Sequence, residues 1–238
     1  MRTKDAVRHD VWRAMDREGV SRFPGADGRI PNFAGAKAAA ERLARHSAWQ
    51  NADTIKANPD SPQTHARRLA LTHGKTVVMA VPRLRDQHPF RLLDPRKLDD
   101  LQIREAATIK GALRHGEVTH LDQLPELDLV LTGSVAVNLD GARMGKGGGF
   151  SDLEYGLLLE SGKIDRHTVV ATTVHPIQIL REDLLMTGHD IPVNLVATPR
   201  AVIEVDGAYK RPPGILWDHL QPPQIHEIPV LERFGYAG

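Results

Sequence analysis

Between Asn138 and Tyr155 the chain reads NLDGARMGKGGGFSDLEY, placing Gly145, Gly147, Gly148 and Gly149 within five residues, with Arg143 and Lys146 beside them. Glycines let successive backbone N–H groups turn inward and let the backbone approach a ligand without a Cβ in the way. Ser151, three residues before Glu154, reads as the N-cap of a capping box that opens a helix. A glycine loop running into a helix N-terminus cradles phosphate oxygens, because orphan N–H groups and the helix dipole act together there. Asp152 adds a carboxylate for Mg²⁺. The loop is not a Walker A motif, because no Ser or Thr follows Lys146, and the glycines do not fit GxGxxG. By spacing alone two readings stay open: a phosphate cradle, or a connection whose glycines serve only turns.

Lys4 and Arg8 raise the same kind of question. Their spacing puts two cations on one helix face, where they mildly repel. They form either a solvated basic face or a pair reaching a polyphosphate. The twelve histidines include no HExxH and no spaced ligand set, so a transition-metal site is not indicated. His175 closes a strand, and His189-Asp190 falls in a loop. Ser134 follows a glycine but lacks the Gly-x-Ser-x-Gly frame of a nucleophile elbow. Trp12, Trp49 and Trp217 are scattered and do not interleave with basic residues, which argues against a single-strand nucleic-acid platform.

These residues need elements to hold them. The periodicity predicts helices over 4–17, 35–48, about 62–73 and about 99–114. Short β-branched runs at 54–57, 75–81, 127–137, 168–174 and 193–197 predict buried strands, the run LDLVLTGSVAV (127–137) being the clearest. Strands alternating with helices indicate one α/β domain with a mainly parallel sheet covered on both faces. After about residue 207 the chain is Pro-rich and predicts an irregular tail, giving a domain of 1–206 and an extension of 207–238.

With 238 residues and 41% hydrophobic content the chain is long enough for a substantial core. A net charge of +1 argues against nucleic-acid binding driven by bulk charge and leaves a local basic cluster open. The absence of cysteine excludes disulfides, thiolate metal sites and a Cys nucleophile. The charged start MRTKDAVRHDVW does not read as a signal peptide, and no apolar run approaches membrane-spanning length. The expectation is a cytoplasmic protein with a small-molecule substrate, without nucleic-acid or membrane partners, and either monomeric or homodimeric.

Taken together, Lys4, Arg8 and the ordered run Arg143-Met144-Gly145-Lys146-Gly147-Gly148-Gly149-Phe150-Ser151-Asp152 resemble the 5-formyltetrahydrofolate cyclo-ligase (methenyltetrahydrofolate synthetase) family. That family opens on a Lys-x-x-x-Arg helix and carries Arg-x-Gly-x-Gly-x-Gly-aromatic-Tyr-Asp. Gly74-Lys75, Pro82, Gly133-Ser134 and Thr198-Pro199 are further matches, and the resemblance spans about 1–205. It implies a Rossmann-like α/β fold of the ribose-phosphate-isomerase and CoA-transferase group. It also implies ATP- and Mg²⁺-dependent closure of 5-formyltetrahydrofolate to 5,10-methenyltetrahydrofolate with release of ADP and phosphate. ATP would meet Lys4, Arg8, Arg143, Gly145, Lys146, Gly147, Gly148, Gly149, Phe150 and Asp152. Arg143, Lys146 and Asp152 would be catalytic, and Asp152 would be associated with Mg²⁺.

The chain departs from the family pattern at Ser151, where a tyrosine is usual, and at Gly148, where a polar residue is common. The family's acidic substrate contact aligns with Ser61 or Gln63, with Asp60 as a substitute. The segments GRIPNFAGA (28–36) and NPDSPQ (58–63) resemble a divergent branch of cyclo-ligase paralogues. For that branch the implied substrate is another formyl or amide compound, thiamin-related chemistry included. A catalytically silent nucleotide or sugar-phosphate binding module on the same scaffold is the remaining alternative.

Overall fold

The computed structural model describes residues 2–205, 207–220 and 222–234. In chain order its strands are β1 (Thr54–Ala57), β2 (Thr76–Ala80), β3 (Phe90–Leu93), β4 (Glu117–Thr119), β5 (Leu129–Thr132), β6 (Ala136–Asn138), β7 (Arg143–Met144), β8 (Val169–Thr173), β9 (Ile179–Leu180), β10 (Leu195–Ala197) and β11 (Val202–Glu204). The helices are α1 (Lys4–Arg17), α2 (Ala36–Leu43), α3 (Ser47–Gln50), α4 (Thr64–Thr72), α5 (Asp100–Ala106), α6 (Ile109–His115), α7 (Phe150–Glu160) and α8 (Pro222–Glu227).

Eight strands form one sheet in the order β11-β10-β8-β5-β1-β2-β3-β4. The pairings from β10 through β2 are parallel, and β11, β3 and β4 join antiparallel at the two edges. Side-chain alternation assigns the two faces. Leu129 and Leu131 pack with Ala40, Leu43, Ala66 and Ala70 of α2 and α4. Val130 packs in the opposite layer with Leu157 and Leu158 of α7. The expected α/β fold, a mainly parallel sheet flanked by helices, is the one found.

A second, three-stranded sheet of order β7-β6-β9 stands beside the first. It corrects the reading of 127–137 as a single strand. The run divides into β5 and β6, which belong to different sheets, with Gly133-Ser134 between them. Apolar character continued through the break because both pieces are buried. The helix expected over 99–114 is likewise two. Asp99 and Gln102 form a capping box at the start of α5. Thr108 then caps α6, its hydroxyl accepting the Gly111 N–H at 3.0 Å.

The Pro-rich tail, expected to be irregular, carries 3-10 turns at Trp217–His219 and Pro229–Phe234, with α8 between them. Pro222 and Pro229 stand first in their helical segments, where a fixed φ and a missing N–H are tolerated. Ile215, Ile228, Val230 and Leu231 of this segment join the core on the α7 side of the sheet.

Candidate active site

The glycine loop owes its position to the small sheet. β6 and β7 pair antiparallel, Val137 opposite Arg143, so the chain turns back and delivers residues 145–149 to the start of α7. Gly147 and Gly149 adopt φ of +105° and +67°, conformations that side-chain-bearing residues avoid. Gly149 is the N-cap of α7, which begins at Phe150. The expected Ser151–Glu154 capping box is therefore absent. Ser151 lies inside the first turn, and its hydroxyl is 2.8 Å from Asn58 Nδ2 and 3.0 Å from Thr132 Oγ1. With no side chain on the N-cap, the helix opens toward the loop on backbone alone.

Arg143 is buried and turned inward. Its guanidinium donates to the Gly133 carbonyl at 2.9 Å, to Asp152 Oδ1 at 2.5 Å and to the Ile191 carbonyl at 3.3 Å. Asp152 Oδ1 also accepts the Ile191 N–H at 3.0 Å. One buried ion pair thus ties the start of α7 to the strand before the loop and to the 190s segment.

The N-terminal helix meets the loop from the other side. Thr3 caps α1, and Lys4 and Arg8 lie on the side facing the glycines. Arg8 Nε donates to the Gly145 carbonyl at 2.8 Å, and a terminal nitrogen bonds Asp5 at 2.5 Å. Lys4 Nζ is 2.5 Å from Asp190 Oδ2, and Asp190 also accepts the Thr187 N–H and hydroxyl at 2.6 and 2.7 Å. Burial alone would raise the Asp190 carboxyl. The bonds from Lys4 and Thr187 outweigh it and hold the group below its ordinary value.

Two cavities of about 470 Å³ each flank the loop, and Gly145, Gly148, Gly149 and Asp152 line both. The first holds Lys4, Arg8 and Asp190, then runs to Ile215, Leu216, His219 and Leu220. The second holds Lys146, Arg143, Asn58, Asp60, Phe150, Ser151 and Glu154. Lys146 Nζ stands 3.4 Å from Asp60 Oδ1 across that cavity. Of the residues expected at the acceptor, Asp60 reaches the cavity. Ser61 lies outside both linings, and Gln63 is buried with its amide donating to Thr173 Oγ1 at 3.3 Å.

Beneath the second cavity lies a network that sequence reading missed. Lys56 faces α7 in register with Val78 and Val130, and its Nζ bonds Glu154 Oε2 at 2.5 Å and Asn58 Oδ1 at 3.0 Å. Both charges are almost fully buried. Burial pushes the Glu154 carboxyl up, against the pull of Lys56. A lysine inside a short buried strand was the available signal, because such a charge demands a partner. Arg67, also buried, donates to the carbonyls of Asn58, Asp60 (3.1 Å) and Ala107 (2.8 Å) and so fixes the 58–60 turn. Burial lowers its guanidinium to about 10.

Among the described residues no three His, Asp or Glu side chains cluster to hold a metal ion. Mg²⁺ commonly binds one carboxylate together with substrate phosphates. Asp152, lining both cavities, fits that role. No helix of the described residues is long and apolar enough to cross a membrane.

The chain is 37% identical over 242 residues to the methenyltetrahydrofolate synthase domain-containing protein of Mus musculus, and 32% over 231 residues to that of Homo sapiens. Those matches take in 99% and 96% of this chain but only 65% and 60% of the relatives' own length. The solution structure of Aquifex aeolicus 5,10-methenyltetrahydrofolate synthetase superposes with a TM-score of 0.54 at 16% identity, over 91% of this chain and 99% of that one. The sequence model of the 5-formyltetrahydrofolate cyclo-ligase family matches residues 1–199, and the chain belongs to that family.

Proposed function

We propose that the protein is an ATP- and Mg²⁺-dependent 5-formyltetrahydrofolate cyclo-ligase that forms 5,10-methenyltetrahydrofolate and releases ADP and phosphate. The observation that carries this reading is the glycine loop standing as a shared wall between two cavities. A phosphoryl group carried by that wall is presented to an acceptor on its far side. ATP occupies the cavity of Lys4 and Arg8, whose charges neutralise its phosphates while the N–H groups at the start of α7 hold the oxygens. Mg²⁺ beside Asp152 would supply charge neutralisation on those phosphates.

The formyl oxygen of the acceptor takes the γ-phosphoryl group. N10 then attacks the activated carbon, and the C–O bond to phosphate breaks as the methenyl bridge forms. Such chemistry rests on positioning and charge more than on a strong base. Lys146, opposite Asp60, places a cation beside the acceptor cavity, and Arg143 acts through Asp152 by holding it in place. Residues 1–206 carry the glycine loop and its cations in this reading, and residues within 207–238 complete the core and the first cavity.

Incubation with Mg-ATP and 5-formyltetrahydrofolate, with methenyl product followed by absorbance and ADP measured in the same sample, tests the proposal. Stoichiometric product and ADP are expected. ATP binding without methenyl product would favour the second reading, a cyclo-ligase paralogue acting on another formyl or amide compound. That reading draws on the placement of Ser61 and Gln63 outside the cavity, which leaves Asp60 to meet the acceptor.

A further inference from the structure

The first cavity has two chemically different ends. The glycine-loop end carries Lys4 and Arg8, and the far end is closed by residues 214–220, which lie beyond the 1–199 matched by the family. Leu216 and Leu220 are half-buried and turn apolar surface into the cavity, and His219 stands beside them.

This strap is seated firmly. The Ile215 N–H donates to Glu160 Oε1 at 2.7 Å, near the end of α7. Gly156 of α7 meets the Gly214 backbone so closely that an added Cβ would lie 3.1 Å from its carbonyl group. On the other side, His219 Nδ1 lies 2.7 Å from Nδ1 of His189, which is adjacent to the Asp190 that binds Lys4. The helix whose N-terminus faces the loop, and the segment that holds Lys4, therefore both also hold the strap.

We propose that residues 215–220 are the nucleobase-binding wall of the nucleotide cavity, with Leu216 and Leu220 giving apolar contact to a purine and the His189–His219 pair offering its polar edge a hydrogen-bonding partner. The inference rests on the nucleotide reading above and assigns it a specificity element outside the family core. An occupant spanning both ends combines an anionic head with a largely apolar body, as a nucleoside polyphosphate does. A cavity of about 470 Å³ is of the size that takes such a molecule.

Calorimetric titration of the full chain with Mg-ATP and, separately, with magnesium tripolyphosphate tests this. Leu216→Ala and Leu220→Ala should each weaken Mg-ATP binding about tenfold or more, as expected for lost apolar pocket contact, while tripolyphosphate affinity stays unchanged. His219→Ala, at an exposed position that leaves the core intact, should narrow the preference for ATP over UTP. Unchanged ATP affinity in both leucine variants, or parallel losses for both probes, would overturn the inference. Wild-type protein that binds tripolyphosphate as tightly as ATP would overturn it while sparing the phosphate cradle. Wild-type protein that binds neither would remove the nucleotide reading itself.

Discussion

Lys4 and Asp190 show how a cation is aimed at the glycine loop. The carboxylate is mostly buried, takes two bonds from Thr187, and holds the ammonium of a residue on another element. Because its folded value lies below the ordinary 3.8, Asp190 contributes stability that is fully present above about pH 4 and is lost as pH falls through the lower folded value. The difference in urea midpoint between wild type and Asp190→Asn should be constant from pH 5 to 7 and shrink below pH 4. A gap of equal size at pH 3 and pH 6 would contradict the linkage. At this scale the sequence points to candidate cations and not to what they touch. Spacing brings Lys4, Arg8 and the loop glycines to notice, because loop and helix periodicity are local, and their assignment to a nucleotide comes from the resemblance to the family. Asp190 and Thr187 lie more than 180 residues away from Lys4, and only the fold brings them to it.

Helix α7 and strand β1 meet through one buried ion pair, Lys56–Glu154, under the second cavity. Removing one member leaves the other charge buried and unpaired, whereas replacing both by apolar residues removes the desolvation cost as well. Glu154→Ala should therefore lose about 3–5 kcal/mol by urea denaturation, and Lys56→Met with Glu154→Leu should fall within about 1–2 kcal/mol of wild type. If the double variant is as unstable as the single one, the pair stabilises the fold beyond its own charges. The parallel strands β2, β5, β8 and β10 were legible as apolar runs, and β1 as a short strand. The second sheet was not, since β6 continues the apolar run of β5 and β7 and β9 have only two residues each. Glu154 misled for a related reason: its spacing from Ser151 suits a capping box, but a glycine in the left-handed region starts the helix before Ser151.

Taken whole, the fold places two segments far apart in sequence against one loop, with α1 bringing the phosphate-side cations and residues 214–220 closing the far end of the same cavity. The composition of residues 207–238 predicts irregular chain packed over the domain or a neighbour, because proline interrupts periodicity. Among the described residues its buried aliphatic side chains are one isolated isoleucine and a cluster at 228–231, too few to show a helical or strand period. Ile215, Ile228, Val230 and Leu231 nonetheless sit in the core that α7 shares with the sheet. Burying each such side chain stabilises by about 1.5–3 kcal/mol, so the four together amount to roughly 6–12 kcal/mol. That is comparable with the whole stability of a domain, about 5–15 kcal/mol. Deleting residues 207–238 should therefore abolish the cooperative urea transition and not merely the affinity for nucleotide. Triple substitution to alanine at Ile228, Val230 and Leu231, which leaves the strap at 215–220 in the chain, should destabilise in the same direction. If the truncated chain unfolds cooperatively at the wild-type midpoint, the extension is a separate unit, and the cavity wall it forms is attached to a core that stands without it.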